Sequence, residues 1–331
     1  MSAYQTALVV IGRNEAKTLR LTLPVAREQF DHLIYVDSGS TDDSQAIARE
    51  AGATVIELDT DQPFTAARAR NAGLMALPTD AGIRYVQFID GDCELIDGYL
   101  DRAVAFLEAH PDYAMVCGRR KERYPERSIF NRLCHLEWNT PVGDADYCGG
   151  DVTVRFDVMR EIGGYNPDLI AGEDPEVCVR LRQAGWKLYR IDADMTWHDA
   201  NITRVSQWWK RQQRAGHAFA EGAWLHGKSP QRHWVREARS NWFWGGLFFA
   251  ILAGALLVSP WLLLLLLVYP AQALRLALRA PTPINQEPFS VRLSYGLDCF
   301  LAKIPEFLGQ LRFVAGRLTK RRQSLIEYKK G

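Results

Sequence analysis

From Ser240 to Leu274 the chain runs 35 residues without an Asp, Glu, Lys, Arg or His. As one helix that run would be about 50 Å long at ~1.5 Å per residue, whereas a bilayer core takes only about 20 residues. Ser259-Pro260 near its middle interrupts a helix, because proline has no N–H and its ring crowds the preceding turn. The segment therefore reads as a hairpin of two apolar helices, Trp242–Val258 and Trp261–Leu278. Arg232, Arg236 and Arg239 precede it and Arg275 and Arg279 close it, so the positive-inside tendency puts both ends on the cytoplasmic side. Each leg is marginal for a full span, and a re-entrant hairpin fits the lengths equally well. A hairpin buried in a soluble core is the third reading.

Farther on, Leu297, Phe300, Leu301, Ile304, Leu308, Leu311 and Ala315 recur at helical spacing, interrupted by Asp298, Lys303, Glu306 and Arg312. This predicts an amphipathic helix over 296–318, lying in a membrane interface or packed on the rest of the chain or on a second subunit. The tail carries Lys320, Arg321, Arg322, Lys329 and Lys330, suited to anionic headgroups or to solvent.

The first 110 residues have a different rhythm, alternating strand and helix signals as βαβ units do. Apolar runs at Ala7–Ile11, Leu33–Val36, Thr54–Leu58 and Tyr85–Ile89 have the form of buried parallel strands. Helices are expected after about Glu15, from about Asp42, and over Phe64–Ala76. Two of the strands end in carboxylates, Asp37 and Asp90, and ligands of open α/β sheets gather beyond the carboxyl ends of strands. The chain is thus expected to hold an α/β domain over 1–225, with halves 1–110 and 111–225, and a helical membrane-associated region over 226–331.

With 40 Lys+Arg against 39 Asp+Glu, the net charge of +1 gives no general attraction to nucleic acid. The six cysteines form no C-x-x-C pair, which argues against a zinc knuckle or a redox motif and suits reduced thiols. Residues 1–5 lack a basic segment leading into an apolar one, so no signal peptide is expected. Where a dinucleotide fold would carry G-x-G-x-x-G, the first strand is followed by Gly12-Arg13-Asn14, which argues against a dinucleotide-dependent oxidoreductase.

Asp90-Gly91-Asp92 places two carboxylates, one small residue apart, at a strand end. Hard oxygen ligands of this kind suit Mg²⁺ or Mn²⁺. Such an ion binds both phosphates of a nucleoside diphosphate and neutralises a leaving group. Alone, the triplet is equally an acidic turn. It stands, however, in an ordered series: Arg13-Asn14-Glu15, Asp37-Ser-Gly-Ser-Thr-Asp42, Ala69-Arg70-Asn71, the triplet, Gly149-Gly150, and Gly172-Glu173-Asp174. The series resembles the family 2 glycosyltransferases of the GT-A fold, from about Ala7 to about Gly216. The apolar tail is similar to that of bacterial members that build exopolysaccharide or other surface glycans.

The resemblance implies a GT-A type, Rossmann-like mixed sheet flanked by helices, followed by the apolar hairpin and the amphipathic helix. It implies transfer of one sugar, with inversion, from a nucleotide-diphosphate sugar to a hydroxyl of a glycan or lipid-linked acceptor. The processive Q-x-x-R-W pattern is absent from Trp208-Trp-Lys-Arg-Gln-Gln-Arg214. By the same resemblance Glu15 and Asp37 contact ribose and base, with Arg13 beside them. Arg70 lies near the diphosphate or base edge, Asp90 and Gly91 near ribose or metal, and Asp92 on the metal. Asp174 is the general base, positioned with the acceptor by Glu173; an acidic helix start is the plain alternative. His198 completes the metal shell or is a hydrogen-bonded loop residue. Arg211 and Arg214 are suited to clamping the departing diphosphate and Trp208 to stacking on an acceptor sugar, and Gly149-Gly150-Asp151 forms a turn beneath the acceptor or serves the backbone conformation alone. The basic run Gly118–Arg127 is read as a solvated loop or a contact for a lipid-linked phosphate. Transfer to a polyprenyl phosphate, and a non-catalytic sugar- or nucleotide-binding subunit, are the competing functions.

Overall fold

Four parallel strands form one side of a nine-stranded sheet, and their carboxyl ends line up because their registers agree. The computed structural model describes residues 5–319, so the basic residues from Lys320 onward lie outside the described residues. In chain order the elements of the first part are β1 (Gln5–Gly12), α1 (Ala16–Gln29), β2 (His32–Asp37), α2 (Ser44–Glu50), β3 (Thr54–Glu57), α3 (Ala66–Ala76) and β4 (Ile83–Asp90). Then come β5 (Cys93–Leu95), α4 (Tyr99–Ala109), β6 (Tyr113–Glu122), α5 (Ile129–Glu137), β7 (Gly143–Asp144), β8 (Val152–Arg155), α6 (Phe156–Glu161), α7 (Glu173–Gln183) and β9 (Lys187–His198). The sheet order is β3-β2-β1-β4-β8-β6-β9-β5, with β7 on β9. It is the mixed, helix-flanked α/β sheet expected from the sequence.

The chain divides into two compact units. One comprises Met1–Arg123 with Trp138–Ala200; the other comprises Tyr124–Glu137 with Asn201–Gly331. In the first unit, β1 is fully apolar from Ala7 to Ile11 and buried throughout, as a strand covered on both faces must be. Its partners β2 and β4 pair with it so that Gly12 sits opposite Asp37 and Ile11 opposite Asp90. Gly73 lets α3 close on this sheet, since a Cβ there would come 2.3 Å from Val9. The core is one aliphatic and aromatic cluster running from Ala7 to Met195.

The basic run Gly118–Arg127 is a loop only in its second half, residues 123–127. Residues up to Glu122 continue β6, paired in parallel with β9. Alternation divides its side chains: Lys121 pairs with Asp194 at 2.9 Å, whereas Arg120 reaches Asp151 at 3.0 Å.

The second unit is helical: α5, α8 (Val205–His226), α9 (Val235–Leu257), a 3₁₀ stretch Pro260–Leu267 that continues as α10 (Val268–Leu278), a short 3₁₀ turn Ile284–Gln286, α11 (Phe289–Leu301) and α12 (Lys303–Thr319). The apolar hairpin is present. Its legs Val235–Leu257 and Pro260–Leu278 are long and apolar enough to cross a membrane, by length and composition. The first leg begins earlier than read from the charge-free run, because Arg236, Glu237 and Arg239 are good helix formers that extend it. The amphipathic stretch read as one helix over 296–318 is two helices meeting at Ala302. Pro305 has no N–H for the carbonyl of Leu301, and α12 restarts with that proline in its first turn.

Candidate active site

The site is built at the carboxyl ends of β1, β2 and β4. After β1 the chain must turn away tightly. Asn14 adopts a left-handed φ of 61°; its N–H donates to Ser40 Oγ (2.9 Å) and its Oδ1 accepts from the Thr41 N–H (2.7 Å). Asp42 accepts from the Ala16 N–H (3.1 Å) and the Ser44 N–H (3.0 Å), capping two helix starts at once. The loops after β1 and β2 are thereby stitched together. Glu15 stands at their junction, its Cγ packed so that a Cβ on Gly91 would come within 2.9 Å of it. Gly91 also donates its N–H to the Ile11 carbonyl at 2.7 Å. Only glycine lets the acidic triplet pass this close to β1.

Asp37 is fully buried and its oxygens are already occupied. Oδ2 accepts from the N–H groups of Gly39 (3.0 Å) and Ser40 (2.9 Å) and from Gln45 Nε2 (2.9 Å), and Oδ1 from Tyr35 Oη (3.2 Å). Burial pushes its pKa up, but these donors outweigh burial and hold it below the usual carboxylate range. Its immediate work is to shape the loop that follows β2.

Arg70, expected near a diphosphate, is 1% exposed and braces three carboxylates. It donates to Asp90 Oδ1 (2.7 Å) and Glu173 Oε1 (2.9 Å) and lies 2.9 Å from Asp174 Oδ1. Burial alone would lower its pKa, but Asp174 and Asp90 hold it charged. The guanidinium is thus paired within the protein, beside the acidic triplet. Gly150 seats against it, for a Cβ there would come 2.3 Å from Arg70 Nη2 and 3.2 Å from Asp174 Oδ2. Gly149 has open space at the same point, so its need is not steric.

Glu173 and Asp174 open α7, after Gly172 at a left-handed φ of 84°. Glu173 is buried, whereas the Asp174 side chain keeps 22% of its surface exposed. Burial pushes the Asp174 carboxyl up to about 7; Arg70 pulls it down, and Glu173 and Asp90 raise it further. A carboxylate titrating near neutrality and open to solvent is equipped to accept a proton.

Asp151 corrects an expectation. It is fully buried, its carboxylate held by Arg120 Nε (3.0 Å), Thr196 Oγ1 (2.6 Å) and the Asp90 N–H (3.2 Å). No face remains for an acceptor; it ties β4, β6, β8 and β9 together. Arg120, by contrast, was not foreseen at the site. It lies 3.8 Å from Asp90 Oδ2 and over the Trp138 ring at 5.7 Å. Its signal was the two-residue alternation along the basic run, which sets Arg120 and Lys121 on opposite faces.

Asp92 and His198 meet through strand pairing. In the antiparallel register of β5 and β9, Cys93 stands opposite His198, so Asp92 is delivered to the imidazole. Asp92 Oδ2 lies 3.3 Å from His198 Nε2, and the ring packs edge-on to Trp138 at 4.8 Å. Ligand atoms of Asp92, Cys93 and His198 all lie within 4.8 Å of one another. The carboxylate and imidazole are donors that Mn²⁺ accepts. The Cys93 thiol is a poor third, because burial pushes its pKa well up and keeps it protonated. Asp90 is not in that group; its carboxylate turns to Arg70 and Arg120. The residues present therefore fit a divalent cation on Asp92 and His198.

Trp208, Arg211 and Arg214 lie on α8 of the second unit. Trp208 is 7% exposed, donates its Nε1–H to Asp298 Oδ1 (2.5 Å) and packs on Phe130, so its faces are covered and it does not stack on a sugar. Arg211 lies 3.6 Å from Glu137. Burial, with Glu137, pushes Asp298 up to about 6, against the pull of the Trp208 N–H.

Comparison with known proteins bears on the family and the fold. The model for glycosyl transferase family 2 matches residues 7–158. A TPR repeat-containing protein of Synechococcus elongatus is 39% identical over 137 residues, 41% of this chain and 32% of that one. Succinoglycan biosynthesis protein ExoA of Rhizobium meliloti is 23% identical over 212 residues, 58% of this chain and 62% of its own. The chain thus spans between 32% and 62% of the length of the curated relatives it matches. Among solved structures, the mannosyltransferase PcManGT of Pyrobaculum calidifontis, in complex with GDP-Man and Mn²⁺, superposes with a TM-score of 0.54 at 18% identity, over 96% of this chain and 88% of that one. That likeness is one of fold. Residues 7–158, carried on a GT-A type sheet, match the model of glycosyl transferase family 2.

Proposed function

We propose that the protein transfers one sugar from a nucleotide-diphosphate sugar to a hydroxyl of a lipid-linked glycan acceptor, in the synthesis of a surface polysaccharide. The observation that carries this reading is Asp174. It is a partly exposed carboxyl raised to about 7, set by Arg70 beside the strand ends where Asp90 and Asp92 stand. A base of that strength is suited to taking the proton of an acceptor hydroxyl as its oxygen bonds to the anomeric carbon. The bond from that carbon to the diphosphate breaks on the opposite face, and the electron pair leaves with the phosphate. The family resemblance supports this single displacement, and with it inversion. Arg70 keeps Asp174, Glu173 and Asp90 in fixed relation, and Gly150 leaves room for that brace. A divalent cation on Asp92 and His198, Mn²⁺ or Mg²⁺, would offset the charge of the leaving diphosphate.

Glu15, at the junction of the two stitched loops, and Arg13 before it are assigned to the nucleotide, and Arg120 to the phosphate side of the site. The two apolar legs, with Arg239 near the start of the first and Arg275 near the end of the second, support a setting at the cytoplasmic face of a membrane, where a lipid-linked acceptor is presented. A panel of nucleotide sugars, incubated with the full chain, Mn²⁺ and lipid-linked acceptors, tests the reading. Turnover of at least one donor, lost in Asp174→Asn while that donor still binds, is the expected result. Retained turnover in the variant would remove Asp174 as the base.

A further inference from the structure

The apolar hairpin has a foot packed on neighbouring helices and a bare tip. On the first leg the last buried residue is Ile251; on the second the next is Tyr269. Residues 252–268 between them contain no buried position and no charged residue. Leu256 is 86% exposed and Trp261 77%. An apolar surface of this size and continuity is not left to water.

The foot is different. Helix α12 packs on α9 so closely that a Cβ on Gly245 would come 2.2 Å from Phe307 and 2.6 Å from the Lys303 carbonyl. Lys303 Nζ donates to Asn241 Oδ1 (2.8 Å) and to Glu306 Oε2 (2.9 Å), and Gln310 Nε2 donates to the Ala238 carbonyl (3.2 Å). Helix α11 closes on the second leg in the same way, since a Cβ on Gly296 would meet the Ala273 carbonyl at 2.1 Å. The foot thus sits in a layer that carries Lys303, Glu306 and Asp298. Between foot and tip lies an aromatic collar. Trp244 and Tyr269 pack on Phe300 at 4.7 and 5.2 Å, and Trp242 and Phe249 pack on Phe307 at 5.1 and 5.6 Å. Tryptophan and tyrosine favour the headgroup level, where one end of the ring is wet and the other apolar.

Length decides how far the tip reaches. Six residues of α9 beyond Ile251 rise about 9 Å at ~1.5 Å each, and the eight-residue 3₁₀ stretch rises about 16 Å at ~2.0 Å each. Half of a ~30 Å hydrocarbon core is about 15 Å. From Ser240 to Gln286 the only charged residues are Arg275 and Arg279, both exposed and both positive, as an anionic headgroup layer requires.

We infer that residues 252–268 insert into a single leaflet of an anionic bilayer, with the aromatic collar at headgroup level, and that the chain turns at Ser259 inside the hydrocarbon without crossing. This rests on the membrane setting proposed above and makes the attachment monotopic. The partner is the bilayer itself.

The test uses the full chain with Cys299→Ser and Ser259→Cys, added to preformed sealed vesicles of phosphatidylcholine and phosphatidylglycerol. A membrane-impermeant maleimide is supplied either outside or sealed inside. The expected result is flotation with the vesicles, no labelling of position 259 from either side, and full labelling once detergent dissolves the bilayer. Asn285→Cys, at an exposed position, is labelled from outside throughout. Labelling at 259 by the enclosed reagent means a full crossing and overturns the inference. Labelling from outside while vesicle-bound, or no flotation at all, overturns it too. Donor turnover on the same preparation reads the catalytic proposal separately, so that failure of one is not mistaken for failure of the other.

Discussion

Replacing Arg70 by methionine isolates the brace on which the proposed site depends. Methionine fills much of the same volume but leaves Glu173, 5% exposed, and its neighbours Asp174 and Asp90 without their shared cation. Removing one partner of a buried ion pair costs about 3–5 kcal/mol, because the remaining charge stays buried and uncompensated. For a chain of this size that corresponds to a fall in Tm on the order of 10 °C. The cost has a sign in pH. Without Arg70 the folded-state pKa values of the carboxylates rise, so the variant's stability is retained where they are protonated and lost as pH rises. Thermal unfolding of the full chain in detergent, at pH near 5 and near 8, reads both. A deficit at pH 8 that shrinks markedly at pH 5 is expected. A deficit below about 2 °C at pH 8, or one equal at both values, would mean that Arg70 does not hold the three carboxylates.

Gly150→Ala tests the same brace by crowding it. Its Cβ would stand 2.3 Å from a guanidinium held by three carboxylates. Overpacking of this kind costs about 1–3 kcal/mol, and transfer activity should fall further than stability, as a thermal scan beside an activity assay will tell. For the wild type, kcat/KM should rise with pH through about 7 as Asp174 loses its proton, then level off. The linked stability runs the other way. The folded value lies above the ordinary 3.8, so this group's contribution is complete below about pH 4 and is lost as pH rises towards 7. A flat rate profile between about pH 6 and 8 would remove Asp174 from the rate-determining proton transfer.

The parallel half of the sheet was legible because strands covered on both faces are continuous apolar runs, as Ala7–Ile11 and Tyr85–Ile89 are. The carboxylates at their ends, Asp37 and Asp90, marked the candidate site in the sequence. What the sequence hid was long-range pairing. Nothing near Arg70 announces Glu173, 103 residues away, and a three-residue strand such as β5 carries too little pattern to foretell that it delivers Asp92 to His198. Trp208 and Asp151 looked like binding residues because aromatic and acidic side chains in such motifs often are; burial decides otherwise for both. The break between α11 and α12 did have a signal, Pro305, outweighed by an apolar period that continues across it.

The proposed chemistry rests on Asp92 and His198 holding a divalent cation for the diphosphate of a nucleotide donor. Calorimetric titration of UDP and GDP into the full chain, with and without Mn²⁺, measures it most directly. Mn²⁺-dependent binding of one of them is expected, weakened at least about tenfold in Asp92→Asn and comparably in His198→Ala. Undiminished Mn²⁺-dependent affinity in Asp92→Asn would contradict it.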